Sequence, residues 1–311
     1  MPTPPLDHSD APGAVYLASR EQEGDLAAEL APRGVLWSAE RLIATRDPPA
    51  PAVWAQDVWL APRLAPIESI GDAVRTLRGV QRNWSLWSID HHRRCALIEA
   101  GLPPMRSRLL SFPTELPTAP LGAFTLLERN LLLYSATRTS PLPHGEMHFE
   151  EDHDNPPSRA YLKLWDLFTR TGHAPRPGER CLDLGAAPGG WTWVLGRLGA
   201  SVLAIDRAPL ADSVAEMPGV TWRTGDAFSV DPAREGPVDW LFSDVIAKPE
   251  RSVELIHRWL DAGACKHLVC TLKFRGDEGK HVLPGLAAIP GAQLMHLFHN
   301  RNEVTFVRGA L

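Results

Sequence analysis

The sequence predicts an α/β protein: a Rossmann-like domain over residues 158–311, preceded by a smaller N-terminal α+β domain over 1–140 and a linker at 141–157. Three observations predict it. From Ser158 onward, short apolar strand patterns alternate with amphipathic helical ones. A glycine-rich turn follows the first of those strands. Proline-bounded breaks interrupt the chain at RDPPAPA (46–52) and PLPHGEMHFEEDHDNPP (141–157). Alternation of strand and helix implies layers of helix on a largely parallel sheet.

In the C-terminal domain the strand candidates are CLDL (181–184), VLAID (202–206), VTWRTG (220–225), WLFSDV (240–245), HLVCTL (267–272) and VTFVR (304–308). WTWVLGRLG (191–199), ADSVAEM (211–217) and SVELIHRWLDAG (252–263) carry helical spacing between them. The N-terminal part opens with a strand, AVYLAS (14–19), a helix, EGDLAAEL (23–30), and one longer strand, GVLWSAERLIAT (34–45). IGDAVRTLRGV (70–80) reads as a helix, and FTLLERNLLLYSAT (124–137) as strands closing the domain.

Composition excludes several classes. At 311 residues, 44% hydrophobic and 22% charged, the chain has the make-up of an ordinary globular protein long enough for two domains. Cys95, Cys181, Cys265 and Cys270 are too scattered for a disulfide framework, and none pairs at zinc spacing. The acidic, proline-rich start, MPTPPLDHSD, does not have the form of a signal peptide. No apolar run is long enough to span a bilayer, so a cytoplasmic protein without membrane partners is expected. His144, His148 and His153 with Glu146 lack metal-ligand order, and no metal is expected. The net charge of −5 counts against a nucleic-acid partner unless a local basic surface exists. One such stretch contains Arg75, Arg78, Arg82, Trp84, Trp87, His91, His92, Arg93, Arg94, Arg106 and Arg108. Arg82, Arg93 and Arg94 are its candidate RNA contacts, through phosphates and stacking.

The cofactor loop is the most informative segment. Asp183 sits on an apolar strand, Gly185 in a tight turn, and Gly189 and Gly190 before a helix that begins at Trp191. Glycine permits positive φ and close backbone approach to a ligand. A dinucleotide fingerprint needs a second glycine where Ala187 stands, with Pro188 after it, and a P-loop needs Gly-Lys-Ser/Thr. A cofactor without phosphates, S-adenosylmethionine, suits the loop better. Asp206 ends the next strand, where such folds place a carboxylate for ribose hydroxyls, and Asp226 ends the third, within reach of an adenine amino group.

Four further charges mark candidate catalytic positions: Lys163 in SRAYLKLWDLF, Asp244 after WLFS, Lys273 after HLVCTL and Glu303 at the start of EVTFV. Three of them abut strand ends. The order Lys163, DLGAAPGGW, SDVIAKPE, TLK, NRNEVT resembles the FtsJ-type ribose 2′-O-methyltransferases, a family with a Lys-Asp-Lys-Glu tetrad. Within that family it is most similar to the bacterial enzymes that methylate a cytidine of 23S rRNA, through SPLPHGEMHF, PSRAYLKLWDLF, DLGAAPGGWTWVL, SDVIAKPERS and NRNEVTFV. The resemblance runs from about 140 to 308. It implies a Rossmann-like, S-adenosylmethionine-dependent methyltransferase domain and RNA as partner, with large-subunit rRNA or its precursor as substrate. Other members of the family act on tRNA or an mRNA cap. It also implies an N-terminal RNA-binding portion with a THUMP-like module, for which residues 1–140 are short. Cofactor contacts are expected from Asp183, Gly185, Ala187, Pro188, Gly189, Gly190, Trp191, Asp206, Asp226 and Asp244.

Lys273 is the candidate base. A free lysine has a pKa near 10.4, so neutralising it at pH 7 costs roughly 4–5 kcal/mol. Burial, Lys163 and the sulfonium favour the neutral amine, while Asp244 opposes it and orients it. Glu303 would position Lys163. Lys248 and Arg251, just beyond Asp244, are further candidate contacts to RNA phosphates. The alternatives are the same chemistry on tRNA or another RNA, and a non-catalytic RNA-binding protein that keeps the fold.

Overall fold

The computed structural model describes residues 11–105 and 109–309. The proline-rich start, Arg106 and Arg108 lie outside the described residues. The chain divides into two compact units, one formed by Met1–Leu109 with Leu116–His148 and the other by Leu110–Glu115 with Phe149–Leu311.

The first unit runs β1 (Ala14–Ala18), α1 (Glu23–Leu30), β2 (Val35–Ala39), β3 (Leu42–Thr45), β4 (Ala55–Trp59), β5 (Arg63–Pro66), α2 (Ile70–Val80), β6 (Trp84–Leu86), α3 (His92–Ala100), β7 (Gly122–Glu128) and β8 (Leu131–Ser135). Its described strands form two four-stranded sheets, ordered β2-β3-β1-β4 and β5-β8-β7-β6. Helix α2 starts where the Ser69 hydroxyl accepts from the Asp72 N–H at 3.1 Å, satisfying one of the free donors of the first turn. It turns Ala73 and Leu77 into a core with Trp84, Phe124 and Leu132.

The stretch 34–45 is a hairpin, not the one strand its pattern predicts. Glu40 and Arg41 turn it, both at positive φ (45° and 69°). Neither is a residue type favoured in such turns, so the pattern carried no signal. The Arg41 guanidinium donates to the Ala18 carbonyl and to Gln56, and the Trp87 indole N–H donates to the Glu40 carbonyl at 2.7 Å. These contacts hold the turn.

Within 141–157, Leu142 and Met147 are buried in the first unit and Phe149 in the second, while His153, Asp154 and Asn155 are exposed.

The second unit runs α4 (Tyr161–Thr171), β9 (Arg180–Leu184), α5 (Gly190–Arg197), β10 (Ser201–Asp206), α6 (Asp212–Ala215), β11 (Val220–Thr224), α7 (Pro232–Glu235), β12 (Val238–Ser243), α8 (Pro249–Asp261), β13 (Cys265–Lys273), α9 (Leu283–Ala287), β14 (Ala292–Met295) and β15 (Glu303–Arg308). Its described strands form a seven-stranded sheet ordered β11-β10-β9-β12-β13-β15-β14. From β11 through β13 every pairing is parallel. β15 runs antiparallel between β13 and β14, so the sheet is mixed at that edge. This is the expected Rossmann-like α/β architecture.

The chain leaves β9 toward β10 and β11, then returns to β12 on the other side of β9. That reversal opens a crevice beyond the carboxyl ends of β9 and β12, where doubly wound sheets bind ligands. Gly185 and Asp244 are the residues that follow those two ends. The helix expected over 211–217 is the single turn α6.

Candidate active site

The strand ends at the crevice are fixed by aromatic packing. Phe168 of α4 meets Trp240 and Phe242 of β12 edge-on, and Trp191 meets Phe242 likewise. Aromatic pairs of this kind bury large areas in restricted orientations. Helix α4 is thereby held on the sheet with Lys163 turned to Asp244. Asp166, also on α4 and fully buried, accepts from the Phe298 N–H at 2.7 Å, which ties α4 to the chain entering β15. The β13–β15 register sets Lys273 opposite Glu303.

Four side chains converge there. The Lys163 ammonium lies 3.1 Å from Asp244 Oδ2 and 2.7 Å from Glu303 Oε1. The Lys273 ammonium lies 3.0 Å from Asp244 Oδ1 and donates to the Asp244 carbonyl oxygen at 2.7 Å. Thr271, a residue the sequence reading passed over, donates its hydroxyl to Asp244 Oδ1 at 2.6 Å. Burial opposes charge on Lys163, but Asp244 and Glu303 outweigh it and raise its pKa. Burial likewise opposes charge on Asp244, and the two lysines reverse the balance, holding its carboxyl below the usual range. The lysines are not equivalent: Lys163 has a carboxylate on each side, whereas Lys273 shares Asp244 with it.

Next to this array lies a cavity of about 340 Å3, lined by Asp183, Gly185, Ala187, Pro188, Gly190, Trp191, Asp206, Asp244 and Lys273, all singled out in the sequence. Ser158, Ala160, Ala186, Val245 and Ile246 complete the lining; no motif spacing pointed to them. Gly185 has φ +77°, and a Cβ there would fall 2.3 Å from Val245 Cγ2. A Cβ on Gly190 would fall 2.5 Å from Ser158 Oγ. At Gly185 the positive φ and Val245 together require glycine, whereas at Gly190 a side chain would force the Ser158 hydroxyl aside. Asp206 accepts from the Ala187 and Ala208 N–H groups at 3.0 and 2.9 Å, pinning the loop to the end of β10.

Asp183 is fully buried beneath the loop and accepts from the Thr192 hydroxyl at 2.7 Å. Burial pushes its pKa up to about 7.

Other expected residues lie elsewhere. Asp226 is outside the lining; its carboxylate accepts from the Phe228 N–H and from Arg207, which hold its pKa down. Gly189 is also outside it, with φ +114° and packed against Val214 ahead of α5. Lys163, paired with Asp244, and Glu303, paired with Lys163, are outside the lining. Arg251 stacks on Phe228 at 4.0 Å, while Lys248 is exposed and 4.0 Å from Glu278. In the first unit Arg82 and Arg93 are exposed and Arg94 half-buried. His144 packs on Trp87, and burial lowers its pKa to about 4. Among the described residues no cluster of three or more His, Cys, Asp or Glu is arranged to hold a metal ion, and no helix is long and apolar enough to cross a membrane.

A mixed sheet in this order, with a glycine cradle free of phosphate-binding signatures and carboxylates at its rim, defines a Rossmann-like methyltransferase domain. Residues 156–277 match the model of the FtsJ-like methyltransferase family. Within the second unit this stretch is thus similar to FtsJ-like methyltransferases. The chain is 39% identical over 159 residues to ribosomal RNA large subunit methyltransferase M of Halorhodospira halophila, covering 49% of this chain and 46% of that one. Proteins of the same name from Thauera aminoaromatica (35% over 167 residues, 49% and 45%) and Xylella fastidiosa (39% over 163 residues, 48% and 46%) are similarly close. The chain spans about half the length of these curated relatives.

Proposed function

We propose that the protein transfers a methyl group from S-adenosylmethionine to the 2′-hydroxyl of a ribose in RNA, with a cytidine of large-subunit (23S) rRNA as its target in the cytoplasm. The observation that carries this reading is the convergence of Lys163, Asp244, Lys273 and Glu303 beside the glycine-cradled cavity. The relatives' shared name supports the choice of RNA.

S-adenosylmethionine supplies the electrophilic methyl. The cradle of Gly185 and Gly190 with Asp206 at its rim is shaped to hold it, and Asp183 lies under it. Lys273, the lysine with the weaker claim on carboxylates, takes the proton from the 2′-hydroxyl. Asp244 orients that amine and stabilises it once protonated, held in turn by Lys163 and Thr271. Glu303 fixes Lys163. A positioned base of this kind contributes on the order of 10²–10⁴ in rate, and alignment of the hydroxyl contributes further.

The test is methyl incorporation from labelled cofactor into unmodified large-subunit rRNA, with Lys273→Ala as control and cofactor affinity measured for both. Incorporation that vanishes in the variant, at unchanged cofactor affinity, is the expected result. No incorporation by the wild type into rRNA despite cofactor binding moves the target to tRNA or another RNA, or leaves a non-catalytic RNA-binding protein.

A further inference from the structure

Beneath the four converging charges lies a layer of neutral, buried hydrogen-bonding side chains. Thr271 is 1% exposed and lies outside the lining of the cofactor cavity. It stands two residues before Lys273 on β13, so both side chains project from the same face of the strand. Across the pairing, Thr271 faces Thr305 of β15 as Lys273 faces Glu303. Thr305 is equally buried, and its hydroxyl accepts from the Asn300 amide at 3.1 Å. The same amide donates to the Glu303 carbonyl at 3.2 Å. On β15 the layer therefore fixes backbone, whereas on β13 it reaches a charged group directly.

Among the described residues, three donors crowd Oδ1 of Asp244. The Thr271 hydroxyl lies at 2.6 Å, the Lys273 ammonium at 3.0 Å and the Lys163 ammonium at 3.2 Å. Oδ2 meets Lys163 at 3.1 Å. An ionised carboxylate offers about two lone-pair sites on each oxygen, so three donors on Oδ1 compete. The shortest contact of the three comes from a neutral donor. Its hydroxyl dipole turns a positive end to Oδ1 and offsets part of the negative charge that Lys273 meets.

We propose that Thr271 is a positioning residue of the methyl transfer: its hydroxyl occupies Oδ1 of Asp244 and loosens that oxygen's hold on the Lys273 amine. The inference rests on the RNA methyltransferase reading above. Without the hydroxyl, Oδ1 is left to the lysines and the ammonium form of Lys273 is favoured. The neutral amine needed as base is then scarcer at a given pH. Charged groups reach Lys273 from several elements: Asp244 after β12, Glu303 from β15, Lys163 from α4 and Lys248 from the turn into α8. Asp183 and Asp206 share the cofactor cavity with it, and Arg275 and Glu278 follow it in the chain. Asp183, whose carboxyl burial pushes up to about 7, titrates in wild type and variant alike. The effect of the hydroxyl is therefore read as a difference between two profiles.

The experiment measures the single-turnover rate of methyl transfer to an unmodified large-subunit rRNA transcript, at saturating cofactor, over the acid limb and plateau of the pH profile. Wild type is compared with Thr271→Val, which keeps the side chain's shape, and Thr271→Ser, which keeps the hydroxyl. Thr271→Val is expected to move the acid limb about one pH unit to the alkaline side, a loss of about tenfold on the limb. Its alkaline plateau stays within about twofold of wild type, and Thr271→Ser keeps the wild-type profile. S-adenosylhomocysteine affinity by calorimetry stays within about twofold in both variants. Thr271→Ala is read in the same way if valine is not tolerated. An unshifted limb overturns the proposal, and a rate lowered evenly across pH gives Thr271 a structural part instead. A matching loss of S-adenosylhomocysteine affinity also overturns it, by tracing the effect to the cofactor. Either result leaves the RNA methyltransferase reading intact. A wild type that methylates no RNA overturns that reading and this proposal with it.

Discussion

Lys163 and Lys273 share Asp244 yet are set different tasks by their remaining neighbours. Removing Lys163 leaves Asp244 and Glu303, both largely buried, without the cation between them. Breaking a buried pair in this way costs about 3–5 kcal/mol. Lys163→Met is therefore expected to lower the Tm well below that of Lys273→Met, measured by thermal unfolding. Equal losses would show that the two lysines carry similar structural weight. Asp183 gives a second test. Burial pushes its carboxyl from the ordinary value of 3.8 up to about 7. Between those values the folded state keeps a proton that the unfolded state has lost. Stability from this group is therefore greatest at acid pH and falls as pH rises toward 7. Asp183→Asn removes that fall, so its Tm relative to wild type should rise between pH 4.5 and 8. A difference that does not change with pH contradicts the assignment.

At the scale of elements, the turn after β9 depends on glycine for a reason visible only in three dimensions. Gly185→Ala meets both the positive φ and Val245, and is expected to cost about 1–3 kcal/mol and to weaken cofactor binding. Calorimetry with S-adenosylhomocysteine checks the binding, and wild-type affinity would show that the loop adapts. The glycines themselves were legible as a cofactor turn, because an apolar strand precedes them and a helix follows. β9, β12 and β13 were legible for a similar reason, since strands buried on both faces read as continuous apolar runs. Less was legible in the first unit. The Glu40–Arg41 turn lacks asparagine and glycine and is held by Arg41 and Trp87 from distant segments. Helix α3 was hidden in the arginine-rich stretch, with few apolar residues to mark its face. β4, β5 and β6 are too short to show a period. Thr271 and Ile246 were missed because neither residue type announces a site; only their neighbours in space do.

For the whole molecule, the topology converts a linear order of motifs into one place. The reversal at β9 brings the cofactor turn beside Asp244, and the antiparallel insertion of β15 sets Glu303 across from Lys273. The parallel crevice was foreseeable from the alternation of strand and helix. The position of β15 was not, because antiparallel insertion leaves no local mark in sequence. The most direct measurement of the central claim is mass spectrometry of nucleosides digested from rRNA that the protein has methylated in vitro. A single nucleoside carrying its methyl on the ribose 2′-oxygen is expected, absent from the Lys273→Ala reaction. A methyl group found on a base, or one that persists in that variant, would contradict it.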